Sequence, residues 1–431
     1  MFSGGIGKSA KKSFEVASAL TLEQKKKVLQ EIIDGMDTRR QDFAKVISEE
    51  MGAPLKMAAG AQYGSGIIHF KNTLSVIDDF KFCEVHDNIT INKLPIGPVG
   101  MITPWNWPLN QMCTKIASAI AAGTSFVLKP SEITPGAAHI LAQVIDETSL
   151  PKGILNLIHG YGQIVGREMS SHPDLEMISF TGSTRAGIAV AQASASSVKR
   201  VHQELGGKSS NIILDDVVDL EKSVKGGAGH CFLNSGQSCN APTKMLISSK
   251  NYDKAVEIAV ATANSTTVGD PNGEFRLGPI ANKVQYEKIL KLIEIGIEEG
   301  ATLVAGGVEK PDGCDKGYYV RPTVFADVTN DMTIAKEEIF GPVLVMIKYN
   351  NEEEAINIAN DTEYGLAGYV QGDPDHAKDV ARKIRAGQVI INGGARGTGA
   401  PFGGYKASGN GREHGLHGLE ECLETKAIIA S

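Results

Sequence analysis

The sequence predicts an α/β fold built on parallel sheets. From residue 97 onwards, short apolar runs alternate with amphipathic helical stretches. Strands that alternate with helices at this spacing pair in parallel, with helices on both faces of the sheet. The length of 431 residues corresponds to roughly two to four domains of 100–200 residues. We therefore expect a multidomain α/β protein.

Two helices are expected before the first sheet. Thr21 and Gln24 have the spacing of a capping box, and apolar residues follow them at helical intervals. The next helical stretch meets Gly52 and Pro54, which are typical of a helix end.

Later apolar runs predict the remaining elements. The runs 80–82 and 89–91 flank a polar turn and predict a β-hairpin. Strands are predicted at 126–128, 154–158, 177–180, 211–214, 302–304 and 320–325, and helices at 137–146, 283–297 and 352–360. Segment 401–412 is glycine-dense and irregular, and we expect it to pack over a neighbouring subunit or a site entrance.

Composition excludes several classes of protein. The net charge is −7 and there is no basic cluster, which argues against nucleic acid or an anionic membrane as partner. The longest nearly apolar run, 116–128, is shorter than the ~20 residues of a membrane-spanning helix. Six scattered cysteines show neither zinc-site spacing nor a disulfide framework. With no secretory signal, the simplest interpretation is a reduced cytoplasmic protein without a metal.

Cys239 is the candidate nucleophile among the cysteines. It ends the polar segment FLNSGQSC (232–239), in which nearby N–H groups lower a thiol pKa. An average cysteine is a small buried hydrophobe, and we expect this of Cys231, Cys314 and Cys422.

Two further residues are candidates for polar catalysis. Glu204 ends a strand-like run and precedes two glycines, so it is either a solvated strand-end carboxylate or a general base. Asn106 lies in the rigid segment TPWNWP (103–108), either as a turn-former or as a donor to an oxyanion.

Two strand ends are candidates for nucleotide binding. Gly182 turns a strand into a helix whose first N–H groups are free for phosphate. Lys129 and Glu132 follow another strand, where a carboxylate binds ribose hydroxyls in dinucleotide folds. Neither signal is decisive alone.

Seven motifs in order carry a family resemblance: TPWNWPL, LKPSE, SFTGST, ELGGK, GQSC, EEIFGP and PFGGYKASGNGRE. Together they make the chain, from about residue 10 to its end, resemble the NAD(P)-dependent aldehyde dehydrogenase superfamily. The resemblance implies oxidation of an aldehyde to a carboxylic acid with reduction of NAD(P). It also implies a cysteine thiohemiacetal, followed by a thioester that water hydrolyses.

The resemblance also assigns catalytic roles. Cys239 becomes the nucleophile, Glu204 the base that activates water, and Asn106 the oxyanion donor together with the backbone N–H of Cys239. Lys115 and Glu413 match the family's supporting charge pair, which is described as a proton relay in some members.

A cofactor site is implied in the same way. Its residues would be Thr103, Pro104, Trp105, Lys129, Ser131, Glu132, Gly162, Gly166, Phe180, Gly182, Ser183, Leu205, Glu338 and Phe340. Gly182 and Ser183 would meet the pyrophosphate, Glu338 the nicotinamide ribose, and Phe340 the nicotinamide ring. Because Glu132 would repel a 2′-phosphate, we expect a preference for NAD, with NADP as the alternative.

The family's architecture implies three units. These are a Rossmann-like cofactor domain (1–78 and 96–206), an α/β catalytic domain (207–408) and a small β oligomerisation arm (79–95 and 415–431). Homodimers or homotetramers are the family norm. Typical members carry several dozen further residues at the N-terminus, so we expect that part of the cofactor domain to be incomplete here.

Several alternatives remain. The nearest is a CoA-acylating semialdehyde dehydrogenase, in which CoA resolves the thioester; the presence of Glu204 argues for hydrolysis. Remote ones are a cysteine hydrolase that needs no cofactor and a non-catalytic binding or structural protein. Polar residues near the site, namely Asn110, Gln111, Thr114 and 240–242, favour a small or polar aldehyde.

Overall fold

The computed structural model describes residues 5–395, 397 and 399–431. Its strands are β1 (Cys83–His86), β2 (Ile89–Pro95), β3 (Val99–Ile102), β4 (Phe126–Lys129), β5 (Leu155–Leu157), β6 (Met177–Thr181), β7 (Arg200–Glu204), β8 (Ser210–Ile213), β9 (Lys244–Ser248), β10 (Thr302–Ala305), β11 (Thr323–Ala326), β12 (Val343–Tyr349), β13 (Ala367–Gln371), β14 (Gln388–Ile391), β15 (Gly409–Asn410) and β16 (Leu423–Ile429).

The α-helices are α1 (Ile6–Ser18), α2 (Leu22–Thr38), α3 (Arg40–Met51), α4 (Leu55–Met57), α5 (Tyr63–Val76), α6 (Pro108–Ala122), α7 (Gly136–Asp146), α8 (Arg167–Ser171), α9 (Thr184–Ser194), α10 (Leu220–Phe232), α11 (Tyr252–Ser265), α12 (Lys283–Glu298), α13 (Thr333–Lys336), α14 (Glu352–Asn360), α15 (Pro374–Lys383) and α16 (Gly415–Glu421). No described helix combines the length and the apolar composition that a membrane span requires.

The strands form three sheets, and the two large ones are mainly parallel. The first has the order β15-β7-β6-β3-β4-β5, and the second has the order β10-β11-β12-β9-β8-β13-β14. Only β15 on β7 and β10 on β11 pair antiparallel in these two sheets. The third sheet, β1-β2-β16, is antiparallel throughout. The predicted α/β class with parallel sheets is therefore confirmed, whereas the domain boundaries stay a prediction.

The cores follow from this layering. One cluster of buried side chains joins the helices α2, α3, α5, α6 and α7 to one face of the six-stranded sheet. Two more clusters cover the two faces of the seven-stranded sheet. Strands covered on both faces are apolar throughout, which explains the short continuous apolar runs of the sequence.

The predicted helix signals are present in the structure. Thr21 Oγ1 accepts from the backbone N–H of Gln24, whose side chain accepts from the N–H of Thr21, and this completes the capping box. Gly52 ends α3 at φ +82°, a left-handed conformation that glycine adopts without strain.

Two strand predictions need correction. The hairpin exists, but its first strand is β1, not 80–82. Phe80 and Phe82 instead lie edge to face, 4.7 Å apart, and pack on the cluster around Ile77. The strand predicted at 320–325 begins only at Thr323, because Pro322 has no N–H to donate to a neighbouring strand.

The glycine-dense segment, together with Glu413 and His414, forms a tail (401–414) that closes over this chain's own sheet. Within it, β15 pairs with the end of β7, so that Gly409 lies opposite Glu204. The backbone of Glu413 pairs with Phe402 in an isolated antiparallel bridge. The tail thereby brings Glu413 to the carboxyl ends of the parallel strands, where ligands bind in open α/β sheets.

Candidate functional site

Two cavities meet at Cys239. The larger has a volume of about 990 Å³ and the smaller one of about 310 Å³. Among the described residues, only Cys239 and Gln111 line both cavities. A nucleophile at this junction can contact molecules bound on either side.

The loop that carries Cys239 has an unusual backbone. After α10, Asn234, Ser235 and Gly236 all adopt left-handed conformations, with φ between +54° and +71°. A Cβ at Gly236 would lie 2.0 Å from the carbonyl oxygen of Gly341, so only glycine fits there. Non-glycine residues in this region cost of order 1 kcal/mol or more each and persist where the surroundings hold them.

Side-chain hydrogen bonds hold this loop in place. The Asn234 amide donates to the carbonyl oxygen of Asn106 over 2.9 Å. The Asn106 amide in turn donates to the carbonyl oxygen of Gln237 over 3.1 Å. Trp107 Nε1 donates to Ser238 Oγ over 2.8 Å. The structure thus joins the predicted oxyanion donor Asn106 to the backbone that precedes Cys239.

Glu204 lies in a buried cluster with Lys115, His202 and Glu413. Lys115 Nζ is 2.6 Å from Glu413 Oε1 and donates to Ser179 Oγ over 3.0 Å. His202 Nε2 lies 3.5 Å from Glu204 Oε1. All four side chains of this acid–base cluster are at most 7% exposed.

The environment of Glu204 disfavours its charge. Burial, and then the neighbouring Glu413 carboxylate, raise the pKa of Glu204 well above its ordinary value, although Lys115 and Arg412 oppose this. Glu204 lines neither of the two large cavities. Of the two interpretations of Glu204, the solvated strand-end carboxylate is wrong, because the residue is only 2% exposed.

The predicted cofactor residues converge on the smaller cavity. All of them line it except Gly166, which is buried at the end of the short π-helical turn Gly162–Gly166. They follow the carboxyl ends of five parallel strands, β3, β4, β5, β6 and β7, or lie in the segment after α13. This is where open parallel sheets bind nucleotides.

Local contacts shape this smaller cavity. Ser183 caps α9 by accepting a hydrogen bond from the N–H of Ala186. The first turn of α9 lines the cavity, and its other N–H groups can bind an anion there. Lys129 Nζ lies 3.3 Å from Glu132 Oε2, and burial lowers the pKa of Lys129. These groups suit a phosphate and a ribose, respectively.

Glu338 and Phe340 also line the smaller cavity. Glu338 Oε1 accepts from the N–H of Gly207 over 2.9 Å, and burial raises the pKa of Glu338. A Cβ at Gly206 would lie 2.6 Å from the other Glu338 oxygen, so a side chain there would displace the carboxyl group from its present position. Phe340 meets Trp105 edge to face at 5.6 Å.

The larger cavity has a mixed lining. Near Cys239 it is formed by the aromatic rings of Trp107 and Phe402 and by the polar side chains of Asn110, Gln111 and His414. Thr114, which we predicted in this neighbourhood, instead lines a separate cavity of about 20 Å³ beside the acid–base cluster. Thr114 immediately precedes Lys115 on α6, and both residues are buried.

The remaining cysteines differ from Cys239. Cys231, Cys314 and Cys422 are buried as predicted, and so is Cys113, while Cys83 is exposed. Burial raises the pKa of the Cys231 thiol to about 12, which keeps it protonated at neutral pH. Cys239 is partly exposed and is the only cysteine that lines either large cavity among the described residues.

Sequence reasoning missed His202, Ser179 and Arg412 around the acid–base cluster. A signal for His202 was present, because residues i and i+2 of a strand face the same side and His202 precedes Glu204 by two. Ser179 and Arg412 come from other elements and carried no such signal.

Comparisons with known proteins find similar sequences over nearly the whole chain. A model described as the aldehyde dehydrogenase family matches residues 6–428. A 3-succinoylsemialdehyde-pyridine dehydrogenase from a Pseudomonas species is 47% identical over 98% of this chain and 89% of its own length.

Two solved structures are similar over nearly the whole chain. A variant of aldehyde dehydrogenase C from Pseudomonas syringae, in complex with NAD+ and octanal, is 46% identical with a TM-score of 0.97, covering 98% of this chain and 88% of that one. An aldehyde dehydrogenase from Bartonella henselae is also 46% identical with a TM-score of 0.97, covering 99% and 90%.

We expect the folded protein to lose stability when one partner of the Lys115–Glu413 ion pair is removed. Lys115→Met leaves the Glu413 carboxylate buried without its cation, which costs about 3–5 kcal/mol in comparable pairs. The double variant K115M/E413Q removes both charges and should recover much of the lost stability. Thermal unfolding midpoints of both variants and the wild type, at one pH and protein concentration, measure this. A double variant no more stable than K115M would contradict the expectation.

Proposed function

This chain belongs to the aldehyde dehydrogenase family, and we propose that it oxidises an aldehyde to a carboxylic acid with NAD, using Cys239 as nucleophile. The observation that carries the proposal is the position of Cys239, which lines both the larger and the smaller cavity. One cavity then admits the aldehyde and the other the cofactor, with the sulfur between them.

In the first half-reaction, Cys239 Sγ attacks the carbonyl carbon and forms a thiohemiacetal. Negative charge develops on the carbonyl oxygen, and the Asn106 amide and the backbone N–H of Cys239 stabilise it. The hydrogen bond from Asn106 to Gln237 keeps the amide beside the nucleophile loop. NAD, when bound in the smaller cavity, supplies the acceptor for the hydride that leaves the former aldehyde carbon.

In the second half-reaction, water attacks the thioester carbonyl carbon while Glu204 takes a proton from the water. The C–S bond then breaks, which releases the carboxylic acid and the Cys239 thiolate. A carboxylate whose pKa is raised by burial is a stronger base near neutral pH than an exposed one. Because Glu204 faces the acid–base cluster rather than the cavities, its side chain must rotate toward Cys239 to act. Lys115 and Glu413 then serve as the supporting charge pair behind it.

The smaller cavity fits NAD. The free N–H groups at the start of α9 suit the pyrophosphate, and the Glu132 carboxylate suits a ribose with free hydroxyls. The glycine backbone at 206–207, which bonds to Glu338, lets a ligand approach closely. That the P. syringae relative was solved with NAD+ supports the same choice.

The substrate class and the assembly are further parts of the proposal. Asn110, Gln111 and His414 favour an aldehyde that carries a polar group over a purely apolar one. A homodimer or homotetramer is proposed because the small sheet β1-β2-β16 leaves Val85, Ile428 and Ile429 at least half exposed.

The first test replaces the nucleophile. Cys239→Ala should lower aldehyde-dependent NADH formation by about 10³-fold or more, since the covalent route is lost. Binding of NAD, measured by calorimetry, should remain. Cys314→Ala is the matched control, because Cys314 is buried away from both cavities. Activity that survives C239A would rule out the proposed mechanism.

The second test separates hydrolysis from acyl transfer to CoA. Glu204→Gln should keep the first-turnover burst of NADH but reduce steady turnover by roughly 10²–10⁴-fold, because only deacylation needs the base. The exposed Glu309→Gln variant serves as control. Wild-type turnover should not require CoA, and a strict requirement for CoA would favour the CoA-acylating alternative.

The third test concerns the cofactor. The wild type should have a higher kcat/KM with NAD than with NADP, because the Glu132 carboxylate repels a 2′-phosphate. Glu132→Ala should lower the NAD-to-NADP ratio of kcat/KM by about tenfold. Initial rates at varied cofactor concentration measure both values, and a wild-type preference for NADP would contradict the prediction.

A further inference from the structure

The side chains of His202 and Glu204 face each other inside the acid–base cluster. They lie two residues apart on β7 and therefore on the same face of the strand. His202 Nε2 and Glu204 Oε1 are 3.5 Å apart, the outer limit of a hydrogen bond. Neither Nε2 nor either Glu204 oxygen has a hydrogen-bond partner among the described residues. Buried polar atoms are rarely left unpaired, so a short approach of these two groups would satisfy both.

The other nitrogen of the imidazole, Nδ1, faces the hydroxyl group of Ser179, with Glu413 Oε1 at 4.0 Å. Ser179 Oγ accepts a hydrogen bond from Lys115 Nζ and lies 3.4 Å from His202 Nδ1. The Ser179 hydroxyl accepts from Lys115 and keeps one hydrogen of its own, which it can donate to Nδ1. A neutral imidazole that accepts at Nδ1 carries its hydrogen on Nε2, the nitrogen that faces Glu204.

The charges around the pair keep the imidazole neutral. Burial, followed by the positive charges of Lys115 and Arg412, lowers the pKa of His202 well below its ordinary value. The groups that act on Glu204 are Lys115 from α6, Arg412 and Glu413 from the tail, and Glu421 from α16. None of them forms a hydrogen bond to the Glu204 carboxyl group.

We propose that His202 is a positioning residue for Glu204: its Nε2–H donates to the carboxylate and holds it in the orientation turned away from the cavities. This inference rests on the proposed role of Glu204 as the deacylating base. The hydrogen bond also favours the ionised carboxylate, so that Glu204 stays available as a base despite its burial.

The proposal sets the direction of a pH effect. A donor to a carboxylate lowers its pKa, so removing the donor raises the pKa of Glu204. In the pH–rate profile of deacylation, the acid limb is the range in which activity falls as the base becomes protonated. This limb should move to higher pH, by roughly 0.5 to 1 pH unit for the loss of one hydrogen bond. A residue that only fills space would not move this limb.

The test compares two amide substitutions. In His202→Gln the amide nitrogen can occupy the place of Nε2, whereas in His202→Asn it can reach only the place of Nδ1. We expect H202Q to keep the wild-type acid limb and H202N to shift it upward, with the NADH burst unchanged in both. His172→Asn is the matched control, since His172 is buried outside the acid–base cluster.

The outcomes separate this proposal from the proposed function. If C239A abolishes activity but the acid limb of folded H202N does not move, the role of His202 is refuted while the enzyme assignment stands. A shift in H202Q equal to that in H202N also refutes it. If H202N does not fold, NMR of the wild type labelled with ¹⁵N-histidine determines the tautomer of His202 from its imidazole ¹⁵N chemical shifts. The His202 signal is identified by its loss in H202Q. A hydrogen on Nδ1 would then overturn the proposal.

Discussion

The burial of two carboxyl groups beside one lysine is the constraint on which the rest of the site depends. Lys115 contacts Glu413 at 2.6 Å inside the protein, and Glu204 lies in the same cluster. A buried carboxylate without compensation is too costly to keep ionised, so the cation and the hydrogen-bond donors must be placed accurately. Three separate elements, α6, β7 and the tail, must therefore dock before the proposed base has a defined pKa.

The tail explains how those elements come together. Its β15 pairs with the end of β7, and its bridge at Phe402 and Glu413 fixes the partner of Lys115. The same tail contributes Phe402 and His414 to the wall of the larger cavity. One segment thus links the charge that supports the proposed base to the surface that would contact the aldehyde, so a change in the tail is expected to affect both.

The loop of Cys239 has a strained backbone. Three successive left-handed residues place the sulfur at the junction of the cavities, and hydrogen bonds through Asn106 and Trp107 hold them there. The proposed nucleophile thereby lies where the larger and the smaller cavity meet. Strain of this kind is stored where the surrounding packing over-determines the backbone.

The sequence by itself determined the α/β class, the capping box of α2, the end of α3 at Gly52 and the family, because these depend on local patterns and on ordered motifs. Through the family, it also named Cys239, Glu204 and the residues of the smaller cavity. It misplaced the first hairpin strand. Phe80 and Phe82 pack on the cluster around Ile77, whose other members come from residues 121–122 and 419–423, and this packing overrode their local apolar pattern. It did not reveal that His202 Nε2 lies 3.5 Å from Glu204 Oε1 or that Ser179 Oγ lies 3.4 Å from His202 Nδ1. Only the tertiary structure decided these contacts, because burial and the hydrogen bonds of a buried group depend on elements far apart in the chain.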